Sequence, residues 1–280
     1  MKLLLNKHIL DFSNKTYLMG VLNATPDSFS DGGLYFDTDK AVEHALKLVE
    51  DGADIIDIGG ESTRPGSEVV PLDEELRRTI PVIELLVKRT SVPISIDTCK
   101  AEVALRAIDA GASIVNDISG LRFDPGMAKA VASCGVPVII MHIKGAPKDM
   151  QVNPVYEALI PEIMDYLRTG IRLAVEEGIH EDQIIVDPGI GFGKTFDHNL
   201  QILRDLNEFR ALGKPISIGV SRKAFIGKIL GGVPASERLE GTAAAVAISI
   251  INGANIVRVH DVKEIAKVAK VADAIKRGSL

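Results

Sequence analysis

The segment that decides the fold is Asp39-Lys40-Ala41-Val42-Glu43-His44-Ala45-Leu46-Lys47-Leu48-Val49-Glu50, then Asp51-Gly52-Ala53-Asp54, then Ile55-Ile56-Asp57-Ile58-Gly59-Gly60-Glu61. Apolar residues three and four apart in its first part predict an amphipathic helix, and Gly52 stands where helix C-termini favour glycine. The Ile-rich run that follows is short and β-branched, as a parallel strand covered on both faces should be. It gives way to a glycine-rich polar patch, after which the next helical pattern begins.

Working outward, the same unit recurs along the chain. Eight strand runs are read: Tyr17–Leu22, Ile55–Ile58, Ile94–Ile96, Ile114–Val115, Val138–Met141, Ile184–Val186, Ile216–Val220 and Ile256–Val259. Helical spacing is clearest in Asp39–Glu50, Leu72–Lys88, Lys100–Ala110, Asn199–Ala211 and Glu237–Asn252, and Gly52, Gly111, Gly135, Gly178 and Gly213 close several of the helical segments. A doubly wound sheet usually carries five or six strands, whereas eight strand–helix units can close on themselves. The expected fold is therefore α/β, a TIM (β/α)8 barrel. No Pro/Ser tract, low-complexity stretch or charge block divides the chain, so residues 1–280 are read as a single domain.

The chain is 280 residues long, 46% hydrophobic and 25% charged, which excludes a disordered or fibrous protein. Lys and Arg number 32 against 38 Asp and Glu, interspersed, so there is no basic face to meet a nucleic acid. Two cysteines, Cys99 and Cys134, cannot build a disulfide framework and fit a reducing compartment. The opening Met1–Lys7 holds too short an apolar run for a signal peptide, and the longest apolar stretch, Thr242 to Ile251, is about half the ~20 residues a membrane helix needs. A cytoplasmic protein with no membrane partner is expected.

In such barrels chemistry lies at the C-terminal rim, where the loops after the strands converge. The residues there are polar at every strand: Asn23, then Gly59-Gly60-Glu61, Asp97, Asn116-Asp117, His142, Asp187, Ser221-Arg222-Lys223, and Arg258 with His260. Any single one, Asp117 for instance, reads equally well as a helix cap, but all of them together favour a concave site built from many strands. Asp97, Asn116 and Asp187 supply acceptors deep in a barrel mouth, where buried carboxylates need donors. A flat heterocycle with an amino-amidine edge would satisfy them, and Lys223 is placed to complement the same pocket. Arg64, Arg222, Arg258 and His260 are read as a second set beyond the strand tips, suited to an anion through planar guanidinium contacts. For Arg222 a salt bridge between helices reads equally well.

Two long loops, Ala24 to Thr38 and Gly59 to Pro71, are rich in Gly, Ser, Thr, Asp and Pro and are expected to be binding loops or lids, disordered in the free protein. Residues 188–195, Pro-Gly-Ile-Gly-Phe-Gly-Lys-Thr, end like a nucleotide-binding P-loop, yet Pro188 stands where that motif needs its first Gly, so the stretch reads as a Gly-rich turn bringing Phe192 to the pocket. His142 and His260 lack a second ligand at short spacing, which argues against structural zinc. Cys99 lacks an activating neighbour in sequence and reads as structural rather than nucleophilic.

These residues resemble a known family. Met19-Gly20-Val21-Leu22-Asn23-Ala24-Thr25-Pro26-Asp27-Ser28-Phe29-Ser30-Asp31-Gly32-Gly33 is similar to the first signature of the dihydropteroate synthases, and Asp57-Ile58-Gly59-Gly60-Glu61-Ser62-Thr63-Arg64-Pro65-Gly66 to the second. Ser95–Thr98, Val115–Asp117, Met141-His142, Asp187–Lys194, Gly219–Gly227 and Arg258–Asp261 extend the likeness to the end of the chain. It departs at Ala24, where the signature commonly has Val, and at Lys144, where many members have Gln.

The resemblance implies a pterin-binding barrel that joins para-aminobenzoate to 6-hydroxymethyl-7,8-dihydropterin diphosphate, giving 7,8-dihydropteroate and pyrophosphate in folate biosynthesis. By resemblance Asp97, Asn116, Met141, Asp187, Phe192, Gly219 and Lys223 hold the pterin. Asn23, Arg64, Arg258 and His260 take the diphosphate, with Asn23 helping to bind Mg²⁺. Thr63, Pro65, Phe192, Ser221 and Lys223 line the aminobenzoate site. Asp97, Lys223 and Arg258 are the expected catalytic residues, and a homodimer is expected. Two alternatives stand beside this. One is a pterin-barrel methyltransferase using methyltetrahydrofolate, against which Arg64 and the first signature argue; the other is a catalytically silent pterin-binding paralogue, against which the anion set argues.

Overall fold

Short runs of Ile and Val with no polar face can satisfy their backbone groups and bury both sides only inside a covered parallel sheet. The computed structural model describes residues 1–5, 8–25 and 37–278, and arranges those runs in this way. Two antiparallel strands, β1 (Lys2–Leu5) and β2 (His8–Asp11), come first. Then follow β3 (Tyr17–Asn23), β4 (Ile55–Gly59), β5 (Ile94–Asp97), β6 (Ile114–Asp117), β7 (Val138–Met141), β8 (Ile184–Asp187), β9 (Ser217–Ile218) and β10 (Ile256–Val259). These eight form one parallel sheet in the order β8-β7-β6-β5-β4-β3-β10-β9. A parallel bridge between Val186 and Ile216, with Val186 N–H donating to Pro215 O at 2.9 Å, joins the ends and closes the barrel.

Among the described residues the covering helices are α1 (Thr38–Glu50), α2 (Leu72–Leu86), α3 (Ala101–Asp109), α4 (Met127–Cys134), α5 (Leu159–Glu176), α6 (Phe196–Arg204), α7 (Ala224–Ile229), α8 (Leu239–Ile251) and α9 (Val262–Arg277). The segment expected as one helix over Asn199–Ala211 is instead α6 followed by a 3-10 stretch, Leu206–Leu212. The shift has a local cause: Thr195 and His198 cap one another reciprocally, each side chain accepting the other's backbone N–H at 3.2 Å, so the helix starts before Asn199. The seventh barrel strand is likewise shorter than the Ile216–Val220 expected.

Two apolar regions hold the barrel. One lies between sheet and helices; the other is the barrel floor, where Tyr17, Met19, Ile55, Ile114, Ile139, Ile185 and Ile256 meet Leu3, Leu5 and Leu10 of the β1–β2 hairpin. The hairpin plugs the N-terminal end, and among the described residues the cavity opens toward the strand C-termini. Register then sets the levels above the floor. Partners in parallel strands point to the same face, and Gly59 pairs with Asp97, Asp97 with Asn116, and Met141 with Asp187. No helix of the described residues is long and apolar enough to cross a membrane.

Candidate active site

That register delivers a ring of polar side chains around one cavity of about 1450 Å³ at the C-terminal mouth. All the candidate site residues line it: Asp97, Asn116, Met141, Asp187, Phe192, Gly219 and Lys223 in its depth, and Asn23, Thr63, Arg64, Pro65, Ser221, Arg258 and His260 around them. The volume exceeds the ~300–1,000 Å³ typical of one small-molecule site, leaving room for two ligands side by side. Residues 26–36, which carry most of the first signature, lie outside the described residues. The second loop is held in place: Glu61 Oε2 accepts from Val70 N–H at 3.0 Å, and Gly66 N–H donates to Pro147 O at 3.0 Å.

Burial controls the charges. It pushes Asp97 up to about 7, helped by the like charge of Asp57 and opposed by Arg258, whose Nη2 donates to Asp97 Oδ2 at 2.7 Å. Burial also raises Asp187 to about 6, against the pull of the Gly189 N–H, which donates to its Oδ1 at 2.7 Å, and of Lys223. Lys223 is brought down to about 8 by burial and by Arg258, while Asp187 and Asp97 hold it up. Two carboxyls and an amine tuned toward neutrality in one hollow are the pattern expected of a site rather than of a structural ion pair.

The Gly-rich turn after β8 forms the opposite wall. Gly189 has φ +71°, and a Cβ there would lie 1.9 Å from His142 O; Gly191, at φ +86°, takes a left-handed conformation that glycine adopts without strain, beside the Lys223 side chain. The turn presents the Phe192 ring, over which Lys223 Nζ stands 4.4 Å from the centroid, so the amine meets an aromatic face as well as acids. Met141, Ile118 and Met150 complete a small apolar cluster with Phe192, a surface suited to a flat ring.

The cationic set divides differently from the sequence reading. Arg258 does not lie beyond the strand tips: it is the third residue of β10, and its Nε donates to Asp57 Oδ2 at 2.5 Å while Nη2 reaches Asp97. Burial pulls its pKa down but the two carboxylates outweigh that and raise it. Arg222 lines the mouth, with φ +58°, and is paired with Asp261 through Nε at 2.9 Å and a second contact, a salt bridge between the loops that precede α7 and α9 rather than between helices. Arg64 is exposed on the second loop. His260 takes Ser221 Oγ as partner for both its backbone N–H at 3.2 Å and its Nδ1 at 3.0 Å, and burial with the nearby arginines lowers it to about 3, which leaves the ring neutral at neutral pH.

Three strand-end residues and Cys99 lie elsewhere. Asp117 is a loop cap, accepting from Ser119 N–H at 2.7 Å and Leu121 N–H at 2.8 Å. His142 is buried, bonded to Lys194 at 2.8 Å, and depressed to about 2 by burial and that lysine. Cys99 has its thiol pushed well up by burial and Asp117, which leaves no thiolate to attack. Glu61 faces away from the cavity, pairing Lys100 at 2.5 Å beside buried Glu75. Sequence reading missed Asp57, which is fully buried and bonds two cavity residues; the available signal was a lone carboxylate inside an otherwise apolar strand.

For a divalent cation the cavity offers Asn23, a half-buried carboxamide oxygen at the end of β3. Among the described residues no group of three or more His, Cys, Asp or Glu could cage a metal. One hard oxygen without a cage suits Mg²⁺ carried in on phosphate oxygens, which keeps few protein ligands.

An α/β barrel with an acid-lined ring pocket and a cationic rim is the class that fold and site define together, and the model of the pterin binding enzymes matches residues 19–260. The dihydropteroate synthase of Bacillus subtilis (strain 168) is 51% identical over 266 residues, covering 95% of this chain and 90% of that protein. The chain belongs to the dihydropteroate synthase family. Its fold agrees with a Yersinia pestis dihydropteroate synthase solved with a sulfonamide drug, at TM-score 0.93 and 42% identity with both chains covered completely. The Xanthomonas albilineans dihydropteroate synthase in complex with 7,8-dihydropteroate matches at TM-score 0.88 and 40% identity, 99% of each chain covered.

Proposed function

We propose that this protein condenses para-aminobenzoate with 6-hydroxymethyl-7,8-dihydropterin diphosphate to give 7,8-dihydropteroate and pyrophosphate. The observation that carries the reading is that Asp97, Asn116, Asp187 and Lys223 surround one hollow with Arg258 at its edge. A pterin seats its donor-rich edge on the acids, flat against Met141 and Phe192. Its diphosphate reaches toward Arg258, His260, Arg64 and Asn23. Mg²⁺, held by Asn23 and the phosphates, would neutralise charge on the leaving group.

The C–O bond of the exocyclic methylene breaks first, its electron pair leaving with pyrophosphate. Arg258 and Arg64 stabilise the developing charge, and Asp97 stabilises the electron-poor ring left behind. The amine of aminobenzoate, positioned by Thr63, Pro65, Ser221 and Lys223, then gives its lone pair to that carbon, and the ammonium so formed passes its proton to water. The aryl amine is a weak neutral nucleophile, so positioning and exclusion of water are the main contributions of the loops. The protein is further read as a cytoplasmic homodimer. The test incubates it with the pterin diphosphate, aminobenzoate and magnesium and looks for dihydropteroate by mass spectrometry. Pyrophosphate release without dihydropteroate, or no turnover at all, would overturn the reading.

A further inference from the structure

Asp57 is a carboxylate that neither solvent nor the cavity reaches. It stands among isoleucines in β4, entirely buried, and a charge removed from water costs several kcal/mol unless its partners are good. Its Oδ2 has two: Asn116 Nδ2 donates to it at 3.1 Å and Arg258 Nε at 2.5 Å. Its Oδ1 has no hydrogen-bond partner among the described residues, nor has the hydroxyl of Ser95, the neighbour in register on β5. Both useful contacts of the group therefore pass through one oxygen to two residues that line the hollow.

We propose that Asp57 is a positioning residue that sets which way Asn116 faces the pterin and holds Arg258 alongside Asp97. The oxygen and nitrogen ends of a carboxamide are nearly equal in size, so shape alone does not choose between its two orientations. A carboxylate behind the amide does choose, because the reversed amide would set oxygen against oxygen. With one N–H committed to Asp57, Asn116 offers the cavity its carbonyl on one side and its second N–H on the other, a fixed donor–acceptor pair for the ring edge. Arg258 is handled in the same way: Nε is held from behind by Asp57 and Nη2 by Asp97, so the remaining N–H groups of the planar fork are left at a set angle. Asp57 acts through these side chains and does not itself touch the ring.

The proposal rests on the pterin reading, and its test separates the two. The probe is 6-hydroxymethylpterin, which lacks the diphosphate, titrated calorimetrically into the whole protein. Wild type that neither binds it nor forms dihydropteroate would refute the functional reading itself. Given wild-type binding, Asp57→Asn should weaken it by about tenfold or more, the range for one lost orienting contact. The decisive readout is coupling: in an Asn116→Ala background the same change should cost less than about threefold, since residues acting through one another are not additive. In turnover, KM for the pterin diphosphate should rise while KM for aminobenzoate stays within about twofold of wild type, a split that general loosening of the fold would not give. Should Asp57→Asn fail to fold, Asp57→Ser, which keeps an acceptor without the charge, is carried through the same cycle. Unchanged affinity, or equal losses in both backgrounds, overturns the proposal.

Discussion

Asp97 shows how a single residue can serve the site and burden the fold. A carboxyl raised from its ordinary 3.8 to about 7 by burial prefers to be neutral in the folded chain, whereas a ring edge that donates hydrogen bonds needs it ionised. The folded state binds the extra proton between those two values. Its ionisation therefore costs no stability below about pH 4, costs progressively more up to about pH 7, and is a constant burden above that. Asp97→Asn is expected to raise the melting temperature by a few degrees at pH 8 and to lose that advantage toward pH 4, by calorimetry across pH. The same variant should lower turnover about a hundredfold or more, the cost of a preorganised charge removed from a reacting centre, and Lys223→Ala should do likewise. Near-normal rates in both would reject their assignment. Arg258→Ala is a different case, because it strands Asp57 and Asp97 as buried acids. It should destabilise by about 3–5 kcal/mol in urea as well as abolish pyrophosphate affinity by calorimetry. An Arg258→Ala protein that keeps full stability would show that Arg258 does not neutralise them.

At the scale of elements, the β1–β2 hairpin is the piece with no chemistry and large leverage. Leu3 and Leu5 point down into the barrel floor while Leu4 faces out, and Leu3 touches the layer of isoleucines directly beneath the polar ring. Leu3→Ala should cost about 2–5 kcal/mol in urea denaturation, the range for an emptied core site, with KM for both substrates unchanged. A cost under about 1 kcal/mol would mean the hairpin is not the plug. Sequence reading could not see this element, because three consecutive leucines hide the alternation that separates an inward from an outward face. It did see the barrel strands, since runs such as Val138–Met141 and Ile184–Val186 are short, apolar throughout and largely β-branched. Strand ends disclosed most of the site for the same reason: Asp97, Asn116 and Asp187 each follow an apolar run directly. What stayed hidden was what depends on side-chain direction. Arg258 reads as a tip residue until the register sets it beside Met19 and turns it inward onto Asp57, and the pairing of Arg222 with Asp261 joins residues 39 apart in the sequence.

For the whole molecule, the question is what the outside of the barrel is for. The apolar run Thr242–Ile248 divides cleanly in α8: Thr242, Ala245 and Val246 are buried against the barrel, whereas Ala244, Ile248 and Ile251 form a stripe on the outer side. In the neighbouring helix α9, Val271 and Ile275, one turn apart, are 61% and 69% exposed. Both apolar stripes lie on the helical shell, and none of their residues lines the cavity where Asp97 and Lys223 work. A two-fold contact between copies through this face would cover them without closing the cavity, which is the physical basis for the proposed homodimer. Ile248→Lys with Val271→Lys is then expected to halve the mass measured by light scattering, because two buried charges at such a contact repel across the axis. The kcat/KM per subunit should remain within about twofold, since every side chain placed in the reaction comes from one barrel. A wild-type protein that already scatters as a monomer, or a variant that keeps its full mass, would place the contact elsewhere or nowhere; a variant that dissociates and loses turnover would show that the two mouths depend on each other through the shell.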